Sequence, residues 1–387
     1  MPTEITDKLN RVLDFLETNI DENHCREVEK RHLDALSFKA GAVLPLSFSY
    51  FPKKSDRLPF MEAFNNSEAM LYNELHVENG FGHVVNSVKI KDDYPLHIRC
   101  NYGIILSHCI AGGAYKLNEN DPPWAIPMDC SIAEYRRKWE DKDYDIKNND
   151  LIKKVCETYQ YMANRLSKYP KCSRNIRLSH PDMQGLFGIA QMLFGDTFFL
   201  EMYDNPEDVH WLMGRITGAF IELFNIMDGL VNNYTAGKEA IYIHGGIYPG
   251  RVLLKNDTAT AMISEEHYAE FCRPYDEKIA KTLGNVCIHY CGITPPFLNK
   301  VMKMPGLSGL NLGNPSMQDV DAMIRDWNSC GIPFITWGNN EVPQFLWESL
   351  HGRELTGLTL SCIAENVSVS GEIIKRYREK GLKALAV

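Results

Sequence analysis

The feature of this sequence that most constrains its fold is a regular alternation of short β-rich runs and helical patterns in the C-terminal half. Helical patterns separate five such runs, at residues 241–243, 286–288, 309–312, 334–337 and 358–360. A helix between two strands returns the chain so that the second strand can lie parallel to the first. This order therefore predicts parallel strands joined by helical crossovers.

Chain length narrows the possible arrangements of these strands. At 387 residues the chain exceeds the usual size of one domain unless that domain is an elaborated barrel, so one barrel and two domains are the options. A (β/α)8 barrel fits the length better than an open sheet. Apolar residues at helical spacing begin the chain, at Leu9, Val12, Leu13 and Leu16. We predict a single α/β barrel domain over residues 1–387, with an N-terminal helical extension over residues 1–40.

Charge and composition exclude several classes of partner. The formal charge of −9 leaves no basic field for a phosphate backbone, so nucleic acid is not an expected partner. No stretch approaches about 18 uninterrupted apolar residues and the N-terminus lacks a basic, then apolar, leader, so we expect a cytoplasmic protein without a membrane partner. The 11 cysteines are scattered along the chain, which is typical of reduced thiols. A cysteine beside a histidine is then a candidate metal ligand.

Polar residues follow each of the five β-rich runs, at the position where barrel strands carry functional groups. His289 and Cys291 are two residues apart at one strand end, which places both side chains on the same side of the backbone. They could share one ion, and Cys362 could complete a His/Cys/Cys set that leaves the fourth tetrahedral position free. The chain also holds 12 histidines, so this spacing arises by chance as well.

Other polar residues are candidates for the pocket, each with a structural alternative. His180 and Asp182 could line it or form a turn with a helix cap. His244 precedes two glycines that would admit a ligand, but the backbone could equally satisfy its ring. Asn339 follows the fourth run and is predicted to contact substrate. Glu341 could be a fourth ligand, an acid/base group, or a cap for the helical pattern that begins two residues later.

Residues 288–292, Ile-His-Tyr-Cys-Gly, resemble the His-x-Cys-Gly motif of the uroporphyrinogen decarboxylase superfamily, in particular its corrinoid-dependent methyltransferase branch. The glycine-rich segment 185–196, the segment 204–210 with Asp-Asn-Pro-Glu, and the segment 263–268 with Ser-Glu-Glu resemble further motifs of that family. The similarity extends from about residue 180 to the C-terminus, and the order of the motifs along the chain is specific to the family.

The resemblance implies a mechanism. It implies zinc held by His289, Cys291 and the distant Cys362, and a methyl group moved between a corrinoid protein and a thiol or a methylated small molecule, in a direction left open. Zinc would lower the pKa of a bound thiol so that the thiolate exists near neutral pH. Asp257 falls where the family carries an acidic pocket residue and is predicted to be catalytic with Glu341. An Asx turn or helix cap is the alternative for Asp257.

The sequence departs from the family at two places. Cys362 precedes the Glu-Asn pair at 365–366 by three residues, where the methyltransferase branch carries a longer loop. Residues 42–50 contain no arginine, whereas the decarboxylase branch uses an arginine-rich loop to hold a polycarboxylate. Decarboxylation of a tetrapyrrole is therefore the alternative function, together with a non-catalytic barrel that binds a corrinoid or another ligand. Resemblance to the decarboxylase branch also suggests a homodimer.

Overall fold

The computed structural model describes residues 4–50, 57–76, 84–236, 239–314, 317, 330–336 and 357–380. The α-helices in these segments are α1 (Glu4–Asn19), α2 (Glu22–Leu36), α3 (Phe60–Asn65), α4 (Ser67–His76), α5 (Val84–Ile90), α6 (Ile105–Cys109), α7 (Ile132–Trp139), α8 (Asp150–Leu166), α9 (Pro170–Asn175), α10 (Leu186–Phe194), α11 (Thr197–Asp204), α12 (Pro206–Asp228), α13 (Asp257–Met262), α14 (Glu265–His267), α15 (Arg273–Leu283), α16 (Leu298–Val301) and α17 (Val367–Lys380). A 3-10 turn spans Ile146–Asn148 and a π-helical turn spans Tyr268–Cys272.

The strands form one large parallel sheet and three smaller pairs. They are β1 (Leu46–Tyr50), β2 (His97–Ile98), β3 (Ala114–Lys116), β4 (Trp124–Ile126), β5 (Arg177–Leu178), β6 (Ala240–Ile243), β7 (Gly246–Pro249), β8 (Val252–Lys255), β9 (Val286–Tyr290), β10 (Leu307–Leu312), β11 (Phe334–Thr336) and β12 (Leu358–Ala364). Six of them pair in the order β1-β12-β11-β10-β9-β8, with every neighbour parallel. The prediction of parallel strands with helical crossovers is confirmed for this sheet.

In the sheet order the first strand pairs with the last described strand, and the other neighbours follow one another in the chain without reversal. Strands β2 and β5 pair with each other in parallel, separately from the six. Asp92 and Asp93 bridge the gap beside β1, where their carboxylates accept the N–H groups of Phe48 and Leu46 at 2.9 and 3.0 Å. The predicted closed barrel of eight strands is therefore not found as one continuous sheet among the described strands. Beside β1, side-chain carboxylates therefore accept the backbone N–H groups that the carbonyls of a neighbouring strand would otherwise accept.

The run at 241–243 differs from its prediction. It lies in β6, which pairs antiparallel with β7 in a hairpin rather than joining the parallel sheet. The two-residue turn consists of His244 and Gly245, with φ of 48° and 80°, and left-handed residues at both turn positions suit a tight hairpin. The parallel strand of this region is β8, which follows directly after the hairpin.

The helices pack their apolar faces against the sheet. In α1 the four residues predicted to form the apolar stripe are all buried. At the other end of the chain, the Tyr377 hydroxyl of α17 donates to the carbonyl of Leu44, just before β1, at 2.8 Å. Helix α17 is thus tied to the segment that precedes β1 at one edge of the sheet. None of the described helices combines the length and apolarity needed to span a membrane.

Candidate metal centre

Strand register brings three polar residues side by side on one face of the sheet. His289 on β9 pairs with Lys255 on β8 and with Asn311 on β10. Alternate residues of a strand point to opposite faces, so these three side chains share the face opposite to the helix-packed residues Ile288 and Tyr290. His289 is buried, and β9 ends one residue later.

Asp257 completes a cluster with His289 and Cys291. It lies two residues after β8, at the first position of α13, and its Oδ1 accepts the backbone N–H of Cys291 at 2.7 Å. The same oxygen lies 3.4 Å from Nε2 of His289, and the Cys291 Sγ lies 3.4 Å from that nitrogen. The three candidate ligand atoms all lie within 4.8 Å of one another. The sequence left open whether Asp257 faces a pocket or caps a helix; its carboxylate faces the cluster.

These distances fit one shared tetrahedral ion. With zinc bonds of about 2.0 Å to nitrogen or oxygen and about 2.3 Å to sulfur, two ligand atoms on one ion lie roughly 3.4–3.6 Å apart. The two contacts of His289 Nε2 match this separation. The mixed nitrogen, oxygen and sulfur set also suits zinc.

Asn311 fixes which nitrogen of His289 can bind a metal. Its side-chain NH2 donates to the carbonyl of Ile335 at 2.8 Å, which turns Oδ1 toward Nδ1 of His289. Nδ1 must then carry the proton and donate to Oδ1, and Nε2 keeps its lone pair on the side of Asp257 and Cys291. This is the tautomer that a metal site requires.

Gly313 leaves space for the Cys291 sulfur. A Cβ at this position would lie 2.4 Å from Sγ of Cys291 and 3.1 Å from Cε1 of His289. The loops after β9 and β10 are also joined, because Asn314 Oδ1 accepts the N–H of Gly292 at 2.9 Å. The loop after β10 therefore forms one wall of the cluster.

The electrostatics of the pair favour a neutral metal-free state. Burial and, next, the nearby Asp257 carboxylate raise the pKa of the Cys291 thiol to about 12, and the charge of Lys255 opposes both. Burial lowers the pKa of His289, so its ring is neutral near neutral pH. Nε2 is therefore available to a metal, and a bound metal would displace the thiol proton.

Cys362 is not part of this cluster, and the predicted ligand set is corrected at this position. Among the described residues, the His/Cys/Asp/Glu group with mutually close ligand atoms is Asp257, His289 and Cys291. The register pairs Cys362 with Phe48 and places it on the face of β12 that carries Leu358 and Leu360, which belong to the helix-packed core. Thr359 lies on the opposite face of β12. Through the pairing of β12 with β11 and of β11 with β10, this face is continuous with the face of the sheet that carries His289. Strand parity thus directs the sulfur toward the helices.

Asp182 and His244, which the sequence analysis predicts to line the pocket, lie beside the cluster. The Asp182 carboxylate lies 3.0 Å from Nζ of Lys255, 3.4 Å from Nε2 of His244 and 3.6 Å from Nη1 of Arg99. Burial alone would raise the pKa of Asp182, but the charges of Lys255 and Arg99 hold it well below its usual value. The His244 ring lies 6.2 Å from the His289 ring, centroid to centroid.

His180 occupies a different wall of the same region. It stacks on Phe224 at 4.6 Å, and its Nε2 lies 3.4 Å from Asp228. Together with Asp182 and His244 it lines a narrow cavity of about 10 Å³. The predicted site residues Asn339 and Glu341 lie outside the described residues, and their roles stay predictions.

A larger cavity of about 370 Å³, open to solvent, reaches Asp182 from the other side. Its walls include the buried charged residues Arg99 and Glu74, which the sequence reading did not single out. Arg99 directly follows β2. The sequence therefore marked it by one signal, a charged residue at the end of an apolar run. Glu74 lies in the last turn of α4, where no local pattern marks it.

Comparisons with known proteins bear on the fold. No family model matches the sequence, and no curated protein matches it. A solved structure described as a methyltransferase from Methanosarcina mazei is similar to 91% of this chain and 98% of its own, with a TM-score of 0.64 and 14% sequence identity. The chain therefore shares its overall fold with this methyltransferase.

Proposed function

We propose that the protein is a zinc-dependent methyltransferase that moves a methyl group between a corrinoid, carried by a partner protein, and a thiol or methylated small molecule. The observation that carries the proposal is the cluster of Asp257, His289 and Cys291, in which the two contacts of His289 Nε2 have the separation expected for ligands of one tetrahedral ion. The fold shared with a methyltransferase supports the reaction class.

The proposed ligand set has Asp257 in the place first given to Cys362. Three protein ligands leave one tetrahedral position for a small molecule, as catalytic zinc sites do. Bound zinc would supply a Lewis acid that lowers the pKa of a thiol or polarises a methylated heteroatom. The carboxylate and one thiolate would balance the charge of the ion, so the site needs no further buried anion.

Hydrogen bonds and charges within and around the cluster position the proposed ligand atoms. Asp257 holds the Cys291 backbone through the N–H that it accepts, while Asn311 sets the tautomer of His289. Lys255 favours the thiolate form of Cys291, because its charge lowers the pKa that burial and Asp257 raise. Such supporting contacts commonly change metal affinity by about 10–100-fold.

We infer that β1, β2, β5 and β8 to β12 are the eight parallel strands of a (β/α)8 barrel in a single domain. The pairing of the first strand with the last and the similarity over 91% of the chain support this arrangement. The cluster then lies at the carboxyl ends of β8 and β9, where barrels place their active sites.

The test combines metal analysis with methyl transfer. Protein prepared without chelator should contain about one zinc per chain. A supplied methyl-corrinoid protein and a thiol should show single-turnover transfer, followed by the cobalt absorbance change. Asp257→Asn keeps an acceptor for the Cys291 N–H but removes the charge, and should lose zinc and transfer together. Glu265→Gln, an exposed carboxylate in the next helix, is the matched control and should retain both.

Two outcomes would contradict the proposal. Absence of zinc from the wild-type protein would remove the metal site. Bound zinc without transfer, in either direction and with several methyl donors, would remove the methyltransferase and leave the alternative decarboxylase or binding functions.

A further inference from the structure

We propose that Asp276 and Asn256 are positioning residues for the metal ligands: the hydrogen bond between their side chains holds the start of α13, and with it Asp257, against His289. The inference deepens the zinc-dependent function proposed above and rests on it. Asp276 lies outside the cluster of candidate ligand atoms, so it acts through Asn256 and the backbone that carries Asp257.

Asn256 joins the two chain segments that carry the ligands. It lies between β8 and α13, directly before Asp257, and is 1% exposed. Its backbone N–H donates to the carbonyl of His289 at 2.8 Å, and its own carbonyl accepts the N–H of Thr260 at 3.0 Å. One residue therefore sets the first turn of α13 and ties that turn to His289. A shift of Asn256 would move the Asp257 carboxylate relative to the His289 ring.

The side chain of Asn256 does not form an ordinary helix cap. Asparagine before a helix commonly accepts a backbone N–H of the first turn. Here no such bond forms, and Nδ2 donates instead to Oδ2 of Asp276, on α15, at 2.7 Å. Oδ1 packs against Gly185, where an added Cβ would lie 2.4 Å from it. The orientation of Asn256 is therefore set by α15 and by the residue before α10, not by α13 itself.

The carboxyl of Asp276 lies on an otherwise apolar face of α15. Asp276 is 2% exposed and shares this buried face with Ile279, Ala280 and Leu283. Burial of a polar group costs free energy that its hydrogen bonds return only in part, so an apolar residue would stabilise this face at least as well. The side-chain partner of the carboxyl is Asn256, and its role is therefore to hold that residue.

Zinc affinity and the visible spectrum of the cobalt(II)-substituted protein test this role. Asp276→Ala should lower zinc affinity about tenfold and shift the cobalt(II) absorption bands, because Asp257 loses its fixed position. Burial raises the pKa of Asp276 to about 7, so an uncharged amide is a close substitute for this carboxyl. Asp276→Asn keeps an acceptor for Asn256 and should bind zinc within about threefold of the wild type.

Thr217→Val is the matched control, because it removes another buried side-chain hydrogen bond, in α12. It should lower the melting temperature but keep the zinc affinity and the cobalt(II) spectrum of the wild type. A folded Asp276→Ala variant that keeps both would overturn the proposal. So would an Asp276→Asn variant that loses as much zinc affinity as Asp276→Ala.

A double-mutant cycle separates an effect through Asn256 from a general effect on packing. Asn256→Ala should weaken zinc binding about as much as Asp276→Ala. The double variant should bind zinc no more weakly than either, because both changes break the same hydrogen bond. Additive losses would overturn the proposal. If circular dichroism shows that Asp276→Ala does not fold, Asn256→Ala is compared with Thr217→Val in its place, and equal zinc affinity in these two variants would have the same meaning.

Hydrogen exchange in the metal-free protein keeps this inference separate from the proposed function. The Cys291 N–H donates to Oδ1 of Asp257, so its exchange rate reports whether Asp257 is held in place. Exchange at Cys291 should be at least about fivefold faster in Asp276→Ala than in the wild type, and unchanged in Thr217→Val. Unchanged exchange in Asp276→Ala would overturn the inference even where zinc binds. Absence of zinc from the wild type would overturn the proposed function, but not the positioning of Asp257.

Discussion

The carboxyl end of β9 and the β12–β1 side of the sheet both carry a cysteine, but they use it differently. Cys291 is partly exposed, lies one residue beyond its strand and faces a carboxylate and an imidazole. Cys362 is buried inside β12, opposite Phe48, and packs with the core beneath α17. A cysteine near a strand end is therefore a candidate ligand only under one condition. Strand parity and the neighbouring loops must place its sulfur at the same point as other ligand atoms.

The carboxylates of the two regions differ in the same way. Asp257 accepts the N–H of Cys291 and faces the candidate ligands. Asp92, beside β1, accepts the N–H groups of Phe48 and Tyr94 at 2.9 and 3.2 Å and replaces missing strand pairing. We therefore expect changes in the first region to alter metal binding and changes in the second to alter stability.

The largest effect is expected at Cys291. Cys291→Ala removes a ligand, so zinc affinity should fall by a factor on the order of a hundred or more, as measured by competition with a chromogenic chelator. Cys362→Ala is the matched control and should keep the wild-type zinc affinity. It should instead lower the free energy of unfolding by about 1–2 kcal/mol, because it removes a buried sulfur from the core. Loss of zinc from Cys362→Ala but not from Cys291→Ala would reverse the comparison.

A smaller effect on zinc affinity is expected at Gly313. In Gly313→Ala the added methyl group meets the Cys291 sulfur, so the sulfur or the loop must move. Zinc affinity should fall about tenfold while the melting temperature changes little. Gly214→Ala, in α12, meets no atom within 4 Å and serves as control; alanine should be neutral or stabilising there. Unchanged zinc affinity in Gly313→Ala would show that the cluster does not bind metal in this geometry.

A third effect, on the pH dependence of stability rather than on metal binding, is expected at Asp92. Burial raises the pKa of Asp92 from its ordinary value of 3.8 to about 7. The folded state therefore holds this proton more tightly than the unfolded state, and the contribution to stability is lost as pH rises from about 4 to about 7, by on the order of 4 kcal/mol at most. Asp92→Asn should reduce the fall in unfolding free energy between about pH 5 and pH 7.5, measured with urea. Parallel pH profiles in the two proteins would contradict the buried, protonated carboxyl.

Some of the misreadings had a signal in the sequence. In β12, Leu358, Leu360 and Cys362 alternate with the more polar Thr359 and Ser361, so period-two alternation places Cys362 with the leucines. In β9, by contrast, His289 alternates with the apolar residues Ile288 and Tyr290, so the same rule places His289 on the face opposite to theirs. The hairpin of β6 and β7 was less visible, because His244 rather than a usual turn residue occupies the first left-handed position.

Local periodicity in the sequence is enough to predict the parallel strands and the amphipathic α1. It also predicts that His289 and Cys291 lie on one side of a strand end. Only the tertiary structure decided that Asp257, and not Cys362, meets them, since that depends on the register between β8, β9 and β10. The same holds for Arg99 and Glu74, which come from different elements and meet in one cavity. Contacts between residues distant in the chain depend on strand order and packing, which no local pattern encodes.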